Sequence, residues 1–260
     1  MMKKCVAWLL VLLLIPSIVG ATTWFSCTGD TFCGSSLNQW WGTIDLASGQ
    51  SSPSGSTNVW RWTFKNGTPG GEGIASVYPA SSMPNGAQEM WLQYYWKYSP
   101  GFQYHGVGTK QIYFKPNNII GAAISSDGHF GMAPQGGSGA SINHWPNVNT
   151  STWYFSTGVW HKYKARFKWN SPGQSNGIYQ LWIDDILVSN YLNVIYGDYG
   201  EGLTEGGLGF VVIWGGAGGV ISGTHYFYVS GVYIGSTDPD GGGLPPLGKA
   251  PFPPSRLSIQ

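Results

Sequence analysis

The sequence carries little charge, and beyond its first residues it has no long apolar stretch. Only 10% of its 260 residues are charged, with 13 Lys and Arg against 12 Asp and Glu. Because phosphate binding needs a concentrated basic surface, this composition argues against nucleic acid as a partner. No segment after residue 21 approaches the ~18 apolar residues of a transmembrane helix. Amphipathic helical patterns are missing too, which excludes a helical bundle.

The first 21 residues contain the one long apolar run, and they have the pattern of a secretory signal peptide. Lys3 and Lys4 precede an apolar run over residues 6–15, and the small residues at positions 19–21 resemble a cleavage site. Cleavage would leave 13 − 2 = 11 basic residues against 12 acidic ones. We therefore expect a nearly neutral, secreted protein, extracellular or periplasmic, with no membrane partner after cleavage.

Cysteine is also scarce, with three residues in the whole chain. Cys5 leaves with the signal peptide, so only Cys27 and Cys33 remain. In an exported protein, two cysteines this close predict a local disulfide, and they make a poor zinc site. The glycine-rich run at residues 215–219 lacks the lysine and the helix of a phosphate loop. We expect no metal and no cofactor.

Glycine and aromatic residues are abundant, with 40 Gly, 14 Trp and 15 Tyr. Many short alternating segments separated by turn residues predict an all-β fold, either a sandwich or a jelly roll. We predict a signal peptide at 1–21, an N-terminal edge segment with the disulfide at 22–57, one β-domain at 58–236 and a disordered Pro- and Gly-rich tail at 237–260. A monomer is expected.

The segment from Gln88 to Phe114 has the clearest strand pattern. Successive strand side chains point to opposite faces, which predicts a core row and an outward row over residues 89–98. The core row is Met90, Leu92, Tyr94, Trp96 and Tyr98, and the outward row is Glu89, Trp91, Gln93, Tyr95 and Lys97. Rings, an amide and a cation suit a hydroxyl-rich ligand, so we interpret the outward row as the floor of a sugar site. Alternatively, these rings only cover the second face of a sandwich.

Other segments also allow a binding role. The alternating stretch over residues 160–169 puts Lys162, Lys164, Arg166 and Lys168 in one row, which suggests either an anionic polymer or a solvated outer face with His161 in the core. The loop over residues 134–150 contains His144 and Trp145, and long loops on sandwiches often line a cleft. Trp214 precedes the glycine-rich run at a predicted cleft edge. Asp184-Asp185 predicts a hairpin turn.

Four segments in order resemble the concanavalin A-like jelly-roll polysaccharide lyases, the alginate, glucuronan and heparin lyase-like group. They are WRWTFKNGTPGGEG, MWLQYYWKYSPGFQYHGVGTKQIYF, WHKYKARFKWNSPGQSNGIYQLWIDDILV and IWGGAGG, within about residues 58–235. The resemblance implies a jelly-roll β-sandwich of two antiparallel sheets and a polysaccharide partner. It also implies that Lys110, after the YSPGF turn, lies on the concave face. Where alginate lyases of the group continue with Leu-Pro-Gly, this chain has Gln111-Ile112-Tyr113.

Cleavage of a uronate by β-elimination needs a group that neutralises the carboxylate, a base for the C5 proton and an acid for the leaving oxygen. We expect these groups on adjacent strands or in the loop that joins them. The candidates are Gln93 or Arg61 for the carboxylate, His105 or Lys110 for the base, and Tyr95 or Tyr113 for the acid. The candidate substrate-binding residues are Trp91, Lys97, His144, Trp145 and Trp214.

Two other functions fit the same residues. A non-catalytic carbohydrate-binding protein would use Trp91, Tyr95 and Trp145 as a platform. A glycoside hydrolase would need two carboxylates across a cleft, and only Glu89 lies on the presumed concave face. The lyase is the preferred hypothesis.

Overall fold

The computed structural model describes residues 21–79, 84, 86–114, 119–125, 129–134, 144–149, 156–197 and 208–241. Within these ranges every regular element is a β-strand. The strands are β1 (Thr23–Cys27), β2 (Ser36–Gln39), β3 (Thr43–Ser48), β4 (Asn58–Phe64), β5 (Gly73–Tyr78), β6 (Glu89–Tyr98), β7 (Thr109–Phe114), β8 (Ile119–Ile124), β9 (Phe130–Pro134), β10 (His161–Lys168), β11 (Gly177–Ile183), β12 (Ile186–Val194), β13 (Leu208–Trp214) and β14 (His225–Gly235). Over the same ranges, the structure has no helix that could span a membrane. Residues 1–20 and 242–260, which hold nearly all of the predicted signal peptide and most of the predicted tail, lie outside the described residues.

The strands form two antiparallel sheets that pack face to face. The eight-stranded sheet has the order β12-β11-β10-β6-β14-β4-β3, and β1 also pairs with β14. The six-stranded sheet has the order β2-β5-β13-β7-β8-β9. The predicted all-β sandwich of two antiparallel sheets is therefore confirmed.

The core lies between the sheets and is built mainly from aromatic rings. The predicted core row of β6 is confirmed, since Met90, Leu92, Tyr94, Trp96 and Tyr98 are all 0% exposed. Phe210 of β13 touches the eight-stranded sheet through the rings of Trp60 and Tyr94, with centroids 5.8 and 5.2 Å apart. The alternation of apolar and polar residues thus determines which face of each strand is buried.

β6 and β7 belong to different sheets, so the expectation that they are adjacent strands is wrong. β6 pairs with β10 and β14, whereas β7 pairs with β13 and β8. Residues 99–108 carry the chain from one sheet to the other. This connection is much longer than the two to five residues of an ordinary hairpin loop, and that length permits the crossing.

The N-terminal segment is tied into both sheets. The Cys27–Cys33 disulfide is present, with the two Cα atoms 5.9 Å apart, as predicted. β2 and β3 lie at one edge of the six-stranded and the eight-stranded sheet, respectively. Asp184 and Asp185 connect β11 to β12 with φ angles of 50° and 65°, so the predicted turn is confirmed as one with left-handed backbone.

Candidate functional site

The sandwich has two outward faces, and the predicted site residues are divided between them. We call them the eight-stranded face and the six-stranded face. Arg61 of β4 and the outward row of β6, which includes Gln93 and Tyr95, belong to the eight-stranded face. Lys110 and Tyr113 belong to β7 and therefore to the other sheet. The sequence-based catalytic set is thus not assembled in one place.

Three cations of β10 are held by carboxylates of the same chain. Lys164 Nζ lies 3.2 Å from Asp238 and 2.8 Å from Asp240, and Asp240 also binds Lys162 at 2.9 Å. These aspartates begin the predicted tail, so its first residues are bound to the sheet. Arg166 Nε donates to Glu89 at 2.8 Å. These ion pairs favour a structural role for the cation row over an anionic-polymer site.

Trp91, an aromatic residue of this face, is covered by other side chains of the same chain. Trp91 is 8% exposed because its ring stacks on Trp182 at 5.7 Å and lies under Lys164 and Arg166. It faces away from the core, as its position in the strand predicts, but its ring offers little surface to a glycan.

Lys97 and Arg61 also have intramolecular partners. The Lys97 ammonium lies over the rings of Trp160 and Tyr228, at 4.9 and 5.1 Å, and donates to Gln50 Oε1 at 2.9 Å. Arg61 Nε donates to Asp45 at 2.9 Å. Burial lowers the pKa of Lys97, whereas the hydrogen bond to Asp45 raises the pKa of Arg61. These cations hold the face together.

His105 anchors a loop through both of its ring nitrogens. Nδ1 accepts from the backbone N–H groups of Val107 at 3.2 Å and Gly216 at 3.3 Å. Nε2 therefore carries the proton and donates to the carbonyl of Gly218 at 2.8 Å. Gly215 allows this contact, since a Cβ there would lie 1.9 Å from the ring. The geometry gives His105 a structural role at the glycine-rich run rather than that of a base.

Trp214 and His144 also have structural contacts. Trp214 is 2% exposed, and its Nε1 donates to the carbonyl of Gln103 at 2.8 Å. His144 stacks on Tyr191 of β12 with ring centroids 4.1 Å apart, while its backbone bridges to Met132 of β9. His144 thus joins an edge of one sheet to an edge of the other. Over the described residues, no group of three His, Cys, Asp or Glu side chains is arranged to hold a metal ion.

The six-stranded face carries Lys110 and Tyr113, and a β-bulge explains why they share a face. Residues three apart on a regular strand point to opposite sides. In β7 the pairing with β8 shifts on both sides of Ile112, so the alternation is interrupted there. Gln111 and Ile112 are both 0% exposed and turn inward, whereas Lys110 and Tyr113 are half-buried and turn outward.

Gln111 fixes the bulge from the inside. Tyr94 Oη donates to its Oε1 at 2.9 Å, and its Nε2 donates to Tyr98 Oη at 2.9 Å. Sequence reasoning missed this function of Gln111. The sequence contained one indication of it: Gln111 is an amide next to Lys110, at a position of the strand where the alternating pattern calls for a buried residue.

The electrostatics of this face suit proton transfer. Burial lowers the pKa of Lys110, which increases the fraction of neutral amine available as a base. Burial raises the pKa of Tyr113, which keeps the phenol protonated and able to act as an acid. The cross-strand neighbours of Lys110 are Ile213 of β13 and Ala123 of β8. This is the one predicted base and acid pair that the structure places on the same face among the described residues.

The similarities to known proteins are structural. No protein-family model matches the sequence, and no curated protein is significantly similar to it. The PL-14 alginate lyase from Aplysia kurodai superimposes with a TM-score of 0.61 at 15% identity, over 82% of this chain and 99% of that one. The endo-β-1,4-glucuronan lyase from the fungus Trichoderma reesei gives 0.63 at 17% identity, over 83% and 96%. The botulinum neurotoxin serotype C1 binding domain gives 0.56 at 10% identity, over 84% of this chain and 50% of that one.

These similarities establish the fold. The chain has the jelly-roll architecture shared by alginate and glucuronan lyases, as the sequence resemblance implied. The same architecture occurs in a toxin's binding domain, so the fold is compatible with both catalysis and binding. The choice between them must come from the residues of the six-stranded face.

Proposed function

We propose that the protein is a polysaccharide lyase that cleaves a uronate-containing glycan by β-elimination on its six-stranded face. The observation that carries this proposal is the pair of Lys110 and Tyr113, brought to one face by the bulge in β7, with the pKa of the amine lowered and the pKa of the phenol raised. The fold shared with alginate and glucuronan lyases supports the assignment.

The two side chains divide the proton transfers between them. Lys110 takes the C5 proton of the uronate, and the electrons of that C–H bond form the C4–C5 double bond. The C4–O bond breaks at the same time, and Tyr113 gives its proton to the departing glycosidic oxygen. Each requires the protonation state that its environment favours, because the base must be neutral and the acid protonated.

The remaining predicted roles do not fit this face. Gln93 and Arg61, the candidates for the uronate carboxylate, lie on the eight-stranded face. Glu89, which a glycoside hydrolase would have used, lies there too and binds Arg166. A hydrolase is therefore not supported. The absence of Gln93 and Arg61 from the six-stranded face favours the second candidate, a non-catalytic carbohydrate-binding protein.

An ultraviolet absorbance assay separates these functions. Elimination creates a conjugated double bond that absorbs in the near ultraviolet, and a panel of alginate, glucuronan, heparin and pectin covers several uronate polymers. We expect absorbing product from at least one polymer and a loss of about a hundredfold or more in Lys110→Ala. Binding without product would support the carbohydrate-binding protein, and reducing ends without absorbance would indicate hydrolysis.

The site of action is expected to be outside the cytoplasm. The Cys27–Cys33 disulfide favours an oxidising compartment, and the predicted signal peptide provides the route. Sequencing the N-terminus of the exported protein tests this, because cleavage after Ala21 leaves Thr22 as the first residue. An intact N-terminus on cytoplasmic protein would contradict it.

A further inference from the structure

A single row of cross-strand neighbours crosses the six-stranded face at Lys110. From β5 to β9 the paired residues are Gly73, Ile213, Lys110, Ala123 and Gly131. Paired residues point to the same side of a sheet, so the row is continuous on the outer face. Lys110 is at its centre, and a glycine is at each end.

A tryptophan ring lies against each of the two terminal glycines. A Cβ added to Gly131 would lie 2.3 Å from Cε3 of Trp145 and 2.8 Å from both Cδ2 and Cζ3. A Cβ added to Gly73 would lie 2.7 Å from Cε3 of Trp40, 3.1 Å from Cζ3 and 3.3 Å from Cδ2. Only a glycine permits so close an approach of either ring.

These distances show that the rings lie with a face, not an edge, against the sheet. Cδ2 and Cζ3 are bonded to Cε3 on its two sides. An approach in the plane of the ring would place both atoms much farther away than Cε3, whereas an approach to the ring face keeps the three distances similar. The opposite face of each ring is therefore directed away from the sheet, and Trp40 is 52% exposed.

We propose that Trp40 and Trp145 are stacking platforms for sugar rings on the two sides of Lys110, so that the glycan runs across the strands. The row spans four strand intervals of about 4.8 Å, roughly 19 Å in all. A pyranose unit is about as long as one interval, so the ligand is a segment of about four sugar units. The Trp145 platform was predicted from its loop, whereas the Trp40 platform comes from the structure alone.

This arrangement rests on the proposed function and extends it. A lysine flanked on both sides by platforms acts on an internal bond of the polymer, since sugar units are bound on each side of the reacting one. The expected products are therefore oligosaccharides of mixed length, with a rapid fall in the viscosity of the solution.

Affinity electrophoresis in gels that contain alginate, glucuronan, heparin or pectin tests the platforms. The measurements use the Lys110→Ala background, so that the gel is not degraded during the run. Trp40→Ala and Trp145→Ala should each weaken retention by about tenfold, the order expected for one ring-stacking contact. Trp41→Ala is the matched control, because Trp41 is 50% exposed and adjacent in sequence, and it should leave retention unchanged.

Two further variants separate stacking from folding. Trp40→Phe keeps an aromatic face and should recover most of the retention. Gly73→Ala keeps Trp40 but pushes its ring off the sheet, and it should weaken retention while the thermal unfolding midpoint stays close to that of the parent. A loss of retention in Trp40→Ala that Trp40→Phe does not recover would overturn the stacking role.

The outcomes also distinguish this inference from the proposed lyase activity. If retention falls in both Trp variants while the wild-type protein gives no absorbing product, the platforms are supported and elimination is not. If the wild-type protein eliminates a polymer that both Trp variants retain as well as the Trp41→Ala control does, the platforms are refuted and elimination stands. If no polymer is retained, the platforms are refuted, and the absorbance assay with the wild-type protein alone decides whether elimination stands.

Discussion

Replacing Gln111 with Leu should destabilise the protein and also disrupt the candidate site. The Gln111 side chain is fully buried between the sheets, where it accepts from Tyr94 Oη and donates to Tyr98 Oη. Leu has a similar volume but can make neither hydrogen bond. Burial raises the pKa of both tyrosines, so their hydroxyls stay neutral and remain in the core without these bonds.

The expected loss follows from the two hydroxyl groups. A buried polar group that loses its partner costs about 1–3 kcal/mol, which gives about 2–6 kcal/mol for the pair. The free energy of unfolding of a protein is typically about 5–15 kcal/mol, so this is a large fraction of it. Lys110 and Tyr113 should also no longer share a face, because nothing else in the described core provides the inward amide that holds the bulge.

Denaturation in guanidinium chloride measures the loss, with the slope of the transition checked for constancy. The control is the triple variant Gln111→Leu, Tyr94→Phe, Tyr98→Phe, which removes both partners together and should recover to within about 1 kcal/mol of the wild-type protein. A single variant as stable as the wild-type protein would refute the buried network. A triple variant no more stable than the single one would show that the hydroxyls are not the cause.

The other predictions use the same protein. Gln93→Ala and Tyr95→Ala should leave turnover unchanged, because both lie on the eight-stranded face; a strong loss of activity would move the site there. The reaction rate should rise with pH around the pKa of Lys110, which burial lowers from the usual ~10.4 of lysine, because the amine must be neutral to act as a base. The rate should not fall until the pH is above ~10, because burial raises the pKa of Tyr113 and keeps the acid protonated. A rate that declines from neutral pH upward would contradict these roles. Reduction of the Cys27–Cys33 disulfide should cost at most about 2–3 kcal/mol of unfolding free energy, and free thiols in exported protein would contradict the pairing.

The parts of the fold that depend on local alternation could be predicted from the sequence. Neighbouring residues were enough to predict three features: the core row of β6, the turn at Asp184 and Asp185, and the disulfide that closes the short loop between Cys27 and Cys33. The pairing of strands could not be predicted, because it depends on partners far apart in the chain. The ten residues after Tyr98 were predicted to join two adjacent strands, but they connect one sheet to the other.

The candidate site likewise depends partly on local pattern and partly on contacts between residues far apart in the chain. Lys110 and Tyr113 were predicted on one strand, and both lie in β7, although their odd spacing would place them on opposite faces of a regular strand. The bulge that places both on one face depends on the hydrogen bonds of Gln111 with Tyr94 and Tyr98 across the core, which no local pattern reveals. Trp40 was not among the predicted residues, because its contact with Gly73 is visible only in the structure.

The most direct test of the central claim is the initial rate of near-ultraviolet absorbance during incubation with alginate, glucuronan, heparin and pectin. We expect an increase with at least one polymer and a loss of about a hundredfold or more in Lys110→Ala and Tyr113→Phe, both still folded and retained by that polymer. Lys110→Met should be inactive yet at least as stable as the wild-type protein, since burial disfavours the lysine charge. Undiminished product from Lys110→Ala, or no absorbing product from any polymer, would contradict the claim.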